Sequence, residues 1–402
     1  MDGTAPINQD LVIVGGGTIG SLLALALADA GLKITVIEAK AYQASQNHPS
    51  FDGRTIALAY HSAQYLAKLG LSLDSSRYTP IRHIKVSDKG HLGQCSLDAK
   101  RLDVDALGLV VSQQQLGEDL HQALSGKAIT WHCPDRVVSV EQQQEKVVLT
   151  LASGQTLHSR LLVIADGGDS PTAKLLGIQS RIQDYGQAAL VANVEMDRPH
   201  QYVAHERFTP SGPLAILPLS ERYGGLVWSL HADELDAYLQ LDDVTFLQRL
   251  QQAFGYGLGR FVRVGIRAGY PLRLVTVGQS VHHRTVLLGN AAHTLHPIAG
   301  QGFNLGLRDV EALANLLQSG AQEEDIGRFQ LLHRYHRQRI GDQQQVIGLT
   351  DTLVKTFSND FLPLVVGRNL GLTLMSRCGP LSDGLAWRAM GKSAKEKSVA
   401  KL

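Results

Sequence analysis

The chain has 402 residues, 44% of them hydrophobic, and a formal net charge of +1. This length supports two or three structural units with a large core, and the balanced charge excludes a general electrostatic attraction to nucleic acid. No apolar run reaches the roughly 18 residues that span a bilayer, residues 1–10 lack a signal-peptide pattern, and the three cysteines form no paired motif. The sequence therefore predicts a cytoplasmic protein without a disulfide framework or a zinc site.

The first unit joins two strands through a glycine motif and a helix. The apolar run 10–14 predicts a central parallel strand, and the motif GxGxxG occupies 15–20 directly after it. Residues 21–30 predict a helix, and 33–37 predict a second strand that ends at Glu38. A GxGxxG motif between a strand and a helix, with an acid after the second strand, predicts a dinucleotide site. A βαβ unit without a ligand is the alternative.

Each residue of this motif has an expected task. Gly15 permits the tight turn, Gly17 lets the backbone approach a pyrophosphate, and Gly20 permits close packing of helix on strand. Glu38 is expected to bind both hydroxyls of an adenosine ribose, which disfavours a 2′-phosphate at this site.

The next 100 residues predict further mixed structure. Residues 52–58 lead into a helix at 61–69, and 81–87 alternate as a strand. Residues 113–124 predict a helix, and 131–151 predict a small antiparallel set of strands. Arg54, in the first of these segments, is a candidate for bidentate phosphate binding, with a surface ion pair as the alternative.

A buried strand at 161–164 ends in an acid and glycines that include Asp166 and Gly167. Ligands bind at such carboxyl ends of strands in open α/β sheets. The chain beyond 182 then predicts an antiparallel sheet, with strands at 188–196, 202–208, 214–219, 224–230 and 265–274, and a helical pair at 233–254.

Residues 285–309 combine a strand, a glycine-containing loop and a helix. The run 286–288 predicts a buried strand, Pro297 marks the loop, and Gly300 and Gly302 leave room for a backbone against a flat ligand. Helical spacing begins near Phe303. Amide groups and the positive end of a helix dipole meet there, which favours an anionic or electron-rich ligand.

Three segments thus place glycines or acids at strand ends: 15–38, 165–170 and 289–304. A nicotinamide dehydrogenase requires only the first. A dinucleotide with a second large planar head accounts for all three, and FAD is such a ligand.

With these motifs the chain resembles the FAD-dependent aromatic hydroxylases of the p-hydroxybenzoate hydroxylase fold, which carry GxGxxG, a middle Asp-Gly motif and a late Gly-Asp motif. Residues 289–309, 52–58 and 350–372 are similar to the ubiquinone-biosynthesis hydroxylases, and the resemblance covers nearly the whole chain. Asn290 stands where the wider family has Asp. This resembles the branch of 2-polyprenyl-6-methoxyphenol hydroxylases, which act at ring carbon 1.

The resemblance implies an α/β fold with a Rossmann-like FAD-binding domain, an inserted antiparallel-sheet substrate domain and a helical C-terminus. The expected boundaries are 1–75, 98–180 and 280–345 for the FAD-binding domain, 76–97 and 181–279 for the substrate domain, and 346–402 for the helical region. The amphipathic segment 345–390 is a candidate for contact with a membrane or with other ubiquinone-biosynthesis proteins; ordinary packing against the core is the alternative.

The residues that the resemblance assigns to the cofactors are Gly15, Gly17, Gly20, Glu38, Arg54, Gln113, Asp166, Gly167, Gly289, Asn290, Pro297, Gly300, Gln301, Gly302, Phe303 and Asn304. The first four would hold the ADP half of FAD, and the next two would lie along its pyrophosphate. The Asp-Gly pair would serve both FAD and the nicotinamide cofactor, and the Gly-Asn pair would hold the ribityl–pyrophosphate region. Residues 300–304 would present amides to the pyrimidine end of the flavin, with Pro297 by its reacting face.

The implied reaction consumes NAD(P)H and O₂: the reduced flavin forms a C4a hydroperoxide, and an electron-rich phenol attacks its outer oxygen. The implied substrate is a hydrophobic polyprenyl phenol, which would enter an apolar pocket between the antiparallel sheet and the flavin domain. The enzyme would then work in the cytoplasm or on the inner face of the cytoplasmic membrane. Groups considered for removal of the phenol proton are His293, His296, Tyr202 and His205.

The residues also bear on three other assignments. The spacing of His293 and His296 on a loop disfavours a metal site. A flavin halogenase or polyprenyl reductase shares the fold, but the isolated tryptophans do not form the Trp-x-Trp-x-Ile-Pro motif of the halogenases. A flavin-binding scaffold subunit of a biosynthetic assembly is the non-enzymatic alternative, and the departure at Asn290 keeps it open.

Overall fold

The computed structural model describes residues 8–41, 54–320 and 325–357, with 368, 369, 371, 373, 383, 384, 386, 387, 390 and 391. Positions 52 and 53 of the predicted Arg54 segment, and most of the helical segment predicted at 370–390, lie outside this range. The described helices carry no stretch long and apolar enough to cross a bilayer.

The first described elements are β1 Gln9–Val14, α1 Thr18–Leu27, β2 Ile34–Ile37, β3 Thr55–Ala59, α2 Tyr60–Lys68, β4 Thr79–Ile81, β5 His83–Asp88, β6 Gln94–Asp98, β7 Gly108–Ser112 and α3 Gln113–Leu124. The middle of the chain forms β8 Ile129–His132, β9 Val137–Gln142, β10 Val147–Leu151, β11 Thr156–Ile164, α4 Pro171–Leu175, β12 Ser180–Met196, β13 Val203–Thr209, β14 Gly212–Pro218, β15 Tyr223–His231, α5 Leu235–Gln240 and α6 Asp243–Phe254. The remaining elements are β16 Phe261–Val264, β17 Ala268–Val277, β18 Val281–His282, β19 Thr285–Leu287, β20 His293–Thr294, α7 Gln301–Gly320 and α8 Phe329–Phe357.

The first sheet is largely parallel and has the order β18-β19-β11-β1-β2-β8. Its central strands β1, β2, β11 and β19 run parallel and are buried on both faces, as continuous apolar runs require. One face packs against α1, α3 and α7. The hairpin of β9 and β10, which pairs with β11, covers apolar residues of the other face.

The predicted antiparallel set at 131–151 was wrong in part. Strand β8 pairs in parallel with β2 and extends the parallel sheet, and only β9 and β10 belong to an antiparallel meander with β11. The sequence alternation indicated the strands but held no information about the partner of β8, because that partner lies about 95 positions earlier in the chain.

The second sheet has the order β20-β17-β12-β15-β14-β13-β5-β6, with β16 also paired to β12. It confirms the predicted antiparallel region, and its one parallel pair on this path joins β13 to β5. One face packs on α6 through a core that includes Leu190, Ile216, Trp228 and Phe246. A small sheet of β3, β7 and β4 lies on the other side, where a side chain at Gly225 would clash with Thr55.

The helical regions follow the predicted pattern with shifted bounds. The pair α5 and α6 confirms the helices predicted at 233–254. Helix α7 begins at Gln301, directly after a 3-10 turn at Ile298–Gly300, so the loop passes into the helix without an intervening segment.

Candidate active site

The turn after β1 has the geometry that its glycines predicted. Gly15 has a φ of +104°, and a side chain there would collide with the backbone of Ala165. A side chain at Gly20 would collide with the carbonyl oxygen of Gly15, so this glycine permits the helix to pack on the turn. Gly17 is exposed, and no atom lies within 4 Å of the position that a Cβ would take. The turn therefore presents an open face at the N-terminus of α1.

Glu38 closes one side of this turn. Its Oε2 accepts a hydrogen bond from the amide of Gly16 at 2.7 Å, and its Oε1 accepts one from the amide of Lys40 at 2.9 Å. The predicted acid therefore lies beside the glycine motif and is half-exposed, while its contact with ribose hydroxyls stays a prediction.

The middle motif lies against the same turn. Oδ2 of Asp166 accepts a hydrogen bond from the amide of Thr172 at 3.1 Å. Its Oδ1 is buried and has no hydrogen-bond partner within the described part of the chain. A buried acceptor without a donor costs free energy, so this oxygen suits a hydroxyl group of a ligand.

The late motif, at Gly289 and Asn290, lies against both earlier motifs. A side chain at Gly168 would collide with Oγ1 of Thr294, which itself donates a hydrogen bond to the carbonyl of Asn290 at 3.2 Å. Gly289 has a φ of +55°, and a Cβ there would lie 3.0 Å from the side chain of Ile19 on α1. The three segments that the sequence singled out therefore converge on one end of the parallel sheet.

The loop that follows packs on β3. A Cβ at Gly300 would lie 3.1 Å from that of Ala57. Asn304 holds this contact: its Oδ1 accepts from the amide of Ala59 at 2.8 Å, and its Nδ2 donates to the carbonyls of Ala57 and Gly300 at 2.9 and 2.7 Å. The side chain of Asn304 thus positions the loop, an action that the sequence did not reveal.

A buried polar cluster braces the loop from behind. Asp309 accepts hydrogen bonds from His293 Nε2 at 2.6 Å, from Arg339 Nε at 2.6 Å and from Gln343 Nε2 at 3.1 Å. Burial alone would raise the pKa of Asp309, but the hydrogen bond from His293 and the charge of Arg339 hold it below its ordinary value. Within this cluster, only His293 could be singled out from the sequence.

His296 has a different environment. Its ring is fully buried, stands edge-on to Tyr185 with ring centres 5.6 Å apart, and its two nitrogens lack hydrogen-bond partners among the described residues. Burial lowers the pKa of His296 to about 4, so the ring is neutral at physiological pH.

A cavity of about 410 Å³ lies between the loop and the antiparallel sheet. Its walls are mainly apolar and comprise Arg54, Thr55, Ala189, Val191, Ala192, Asn193, Leu226, Val227, Ile266, Ala268, Tyr270, Leu272, Leu295 and Pro297. Pro297 thus faces the cavity from the glycine loop. Strongly exposed Ile266 lies at its edge.

The other predicted site residues either lie near this cavity or point away from it. The guanidinium of Arg54 stacks on the ring of Tyr270, with 5.1 Å between the guanidinium carbon and the ring centre. The backbone amide of Gln113 donates a hydrogen bond to the carbonyl of Arg54 at 2.7 Å. Phe303 packs against the main core. Tyr202 stacks under Arg82 outside the cavity lining.

His205, another group considered for proton removal, packs edge-on against Phe254 of α6, on the face of the sheet opposite the cavity. Burial, with the charges of Lys85 and Arg207, lowers the pKa of His205 to about 4. The structure therefore does not support His205 as a group that faces the substrate.

These features fit FAD. The open face at Gly17 and the N-terminus of α1 suit a pyrophosphate, and the unpaired Oδ1 of Asp166 suits a ribityl hydroxyl. Gly300 ends the 3-10 turn, and Gln301 and Gly302 begin α7, whose first amides suit the electron-rich end of a flavin. Neither the cluster at Asp309 nor the buried His296 requires a metal ion.

Comparisons with known proteins agree with this geometry. Residues 8–350 match the family model described as FAD binding domain. The chain is 36% identical over 397 residues to ubiquinone hydroxylase UbiL of Rhodospirillum rubrum, covering 97% of this chain and 91% of the relative. It is 31% identical to 3-demethoxyubiquinol 3-hydroxylase of Escherichia coli, covering 95% and 98%. The crystal structure of p-nitrophenol 4-monooxygenase PnpA from Pseudomonas putida DLL-E4 superimposes with a TM-score of 0.79 at 17% identity, covering 96% and 98%.

Fold and site together define an FAD-dependent monooxygenase of the p-hydroxybenzoate hydroxylase type. Within this class, the chain belongs to the family of FAD-dependent hydroxylases that includes the ubiquinone-biosynthesis enzymes.

Proposed function

We propose that the protein hydroxylates the aromatic ring of a polyprenyl phenol in ubiquinone biosynthesis, with NAD(P)H and O₂ as co-substrates. The observation that carries this proposal is the apolar cavity, which lies between Pro297 of the glycine loop and Val191 and Val227 of the antiparallel sheet. A flat ring with an isoprenoid tail matches such walls, since an apolar cavity gains free energy from apolar surface.

Bound FAD would supply the redox chemistry and the activation of O₂. The chain's own residues would bind and orient. Gly17 and the N-terminus of α1 would receive the pyrophosphate, and Asp166 would accept a hydrogen bond from the ribityl chain. The first amides of α7 would stabilise negative charge at the flavin's pyrimidine end, while the apolar cavity walls would exclude water from the reacting ring.

For the substrate, we propose 2-polyprenyl-6-methoxyphenol, with hydroxylation at ring carbon 1. Support comes from Asn290 at the position where the wider family has Asp. The alternative is another ring position or another hydrophobic aromatic; the Escherichia coli relative, for example, carries the name of a 3-hydroxylase.

The domain division expected from the sequence is also a proposal: FAD binding by 1–75, 98–180 and 280–345, and substrate binding by 76–97 and 181–279. The paired strands β5 and β6 support it, because they leave the first half of the chain to join the antiparallel sheet. A membrane-borne substrate would bring the protein to the inner face of the cytoplasmic membrane and close to other enzymes of the pathway. The amphipathic segment 345–390 would be the contact.

The test uses purified protein, which should be yellow and release FAD on denaturation. A prenylated methoxyphenol should stimulate NAD(P)H oxidation, and mass spectrometry should find one added oxygen in the product. Deletion of the gene in its host should accumulate the unhydroxylated precursor. Bound FAD without stimulated oxidation would favour the scaffold alternative, and a protein that binds no FAD would contradict both.

A further inference from the structure

One row of side chains crosses the antiparallel sheet and ends at a carboxylate. Glu206 of β13 pairs with Ala215 of β14, Ala215 pairs with Val227 of β15, and Val227 pairs with Val191 of β12. Directly paired residues point to the same face of a sheet. Because Val227 and Val191 line the cavity, Glu206 points to the cavity side.

The neighbours of Glu206 on its own strand confirm this direction. His205 contacts Phe254, and Arg207 Nε donates to the carbonyl of Ala253 at 3.2 Å, so both point toward α6. Alternation along a strand then turns Glu206 to the opposite face.

On that face, Glu206 lies between two contacts with the FAD site. Ala204, two residues before it, packs in one apolar cluster with Ala57 of β3. Phe208, two residues after it, packs in another with Ile298 of the glycine loop. The carboxylate therefore lies between the part of the sheet that packs near β3 and the part that packs near that loop.

Glu206, Ala215, Val227 and Val191 are all partly accessible. Adjacent strands are about 4.8 Å apart, so roughly 10 Å separates the backbones at Glu206 and Val227. Ala215, whose side chain is only a methyl group, lies between them, and Val227 and Val191 are the members of the row that line the cavity.

The carboxylate has no hydrogen bond or ion pair with any described residue, and burial raises the pKa of Glu206 to about 7. Asp88, on the same face of β5, binds Arg368, and Asp351 of α8 binds Lys355. Strands β3 and β14 carry no titratable side chain.

We propose that Glu206 is the catalytic base that accepts the proton of the substrate's ring hydroxyl. The phenol O–H bond breaks, an O–H bond forms on the carboxylate, and the electron pair stays on the phenol oxygen. This raises the electron density at the ring carbons that are to be hydroxylated, and the carboxylic acid later returns the proton to water. The inference rests on the proposed function, because it requires a phenolic substrate in the cavity.

The test compares holoenzyme variants Glu206→Gln and Glu206→Asp with the wild type and with Glu234→Gln, which changes an exposed carboxylate outside the cavity lining. Substrate-dependent NAD(P)H oxidation and product formation are measured from about pH 5.5 to about pH 9. The wild type should show kcat rising with pH through one ionisation near 7. E206Q should lose that rise, with kcat lower on the order of 100-fold, while its FAD content stays that of the wild type.

Two further measurements separate a base from a structural residue. A ring-fluorinated substrate with a more acidic hydroxyl should restore much of the E206Q rate, and E206D should keep the rise with pH. An E206Q enzyme with an unchanged pH profile, or one that the acidic substrate does not rescue, would overturn the role of Glu206 while the hydroxylase function stands. A wild type that no prenylated phenol stimulates would instead contradict the proposed function.

Discussion

The Nε2 atom of His293 lies 2.6 Å from Oδ2 of Asp309, and both side chains are almost completely buried. Oδ1 of the same carboxylate accepts hydrogen bonds from Arg339 and Gln343 of α8. Asp309 therefore ties the strand before the glycine loop to α7 and α8. This buried carboxylate braces the glycine loop from behind, while Asn304 ties the loop to β3.

Replacement of Asp309 by alanine should lower the free energy of unfolding by about 3–5 kcal/mol, because it removes the buried carboxylate that His293, Arg339 and Gln343 bind and leaves Arg339 with only the partly exposed Asp342. The control is Glu311→Ala on the same helix, where a half-exposed pair with His61 is removed and the expected loss is at most about 1 kcal/mol. Urea unfolding followed by fluorescence measures both, and D309A should also lose FAD more readily.

The pH dependence gives a second check on this pair. The pKa of Asp309 is lowered in the fold, so its stabilisation is present above the pKa of the unfolded chain and is lost as pH falls through the folded value. The difference between wild type and D309A should therefore shrink toward acid pH. Equal losses for D309A and E311A at neutral pH would show that the cluster does not brace the loop.

Gly17→Val should give a folded protein that does not bind FAD. The φ of Gly17 is −65°, and the space around its missing side chain is empty, so valine fits the fold but occupies the place proposed for the pyrophosphate. Gly20→Ala is the matched contrast: its methyl group would collide with the carbonyl of Gly15, which should cost about 1–3 kcal/mol of stability.

Flavin absorbance per mole of protein, together with thermal unfolding, distinguishes the two variants. G17V should keep the melting temperature of the FAD-free wild type and carry no flavin. Normal flavin content in G17V would show that the pyrophosphate does not approach this turn.

The local motifs could be predicted from the sequence because each depends on neighbours in the chain. Gly15, Gly17 and Gly20 act within one turn, and the apolar runs that flank them specify buried strands without reference to distant residues. The segments at Asp166 and Gly289 could be joined to that turn because strand ends in a parallel sheet meet at one edge.

Contacts between distant strands could not be predicted in this way. The pairing that brings Glu206 into one row with Val227 depends on the registers of three strands, and a shift of one residue would have turned His205 to the cavity instead. In the same way, the link from Asp309 to Arg339 depends on how two helices pack. The sequence contained both partners but no local signal that joined them.

Val227→Phe should fill part of the cavity and hinder the substrate without loss of FAD. The side chain of Val227 is partly accessible and faces the open space, so the added ring displaces ligand volume rather than core. We expect kcat/KM for a prenylated phenol to fall roughly 10–100-fold. The control is Val262→Phe on β16, where half of the side chain is exposed and no change is expected. Unchanged kinetics in V227F would show that the substrate binds elsewhere.

Glu206 should also make the protein less stable as pH rises. Its pKa is raised from the ordinary value of 4.5 to about 7, because burial disfavours the charged form. The stabilisation from the neutral acid is fully present below the pKa of the unfolded chain and is lost as pH rises through about 7. The ionised base that the proposed reaction requires is therefore kept at a cost in folding free energy.

Glu206→Gln removes this cost, since the amide has nearly the same shape and no charge. At pH 8 the variant should exceed the wild type in free energy of unfolding by up to about 3 kcal/mol, and near pH 4 the difference should nearly vanish. Urea unfolding of the FAD-loaded proteins at the two pH values measures this difference. The control is Glu234→Gln, which removes a charge that is exposed to water in the folded protein. If the difference in free energy of unfolding between E206Q and wild type is the same at both pH values, Glu206 does not change its protonation between them. The expected rise of kcat with pH would then have to come from another group.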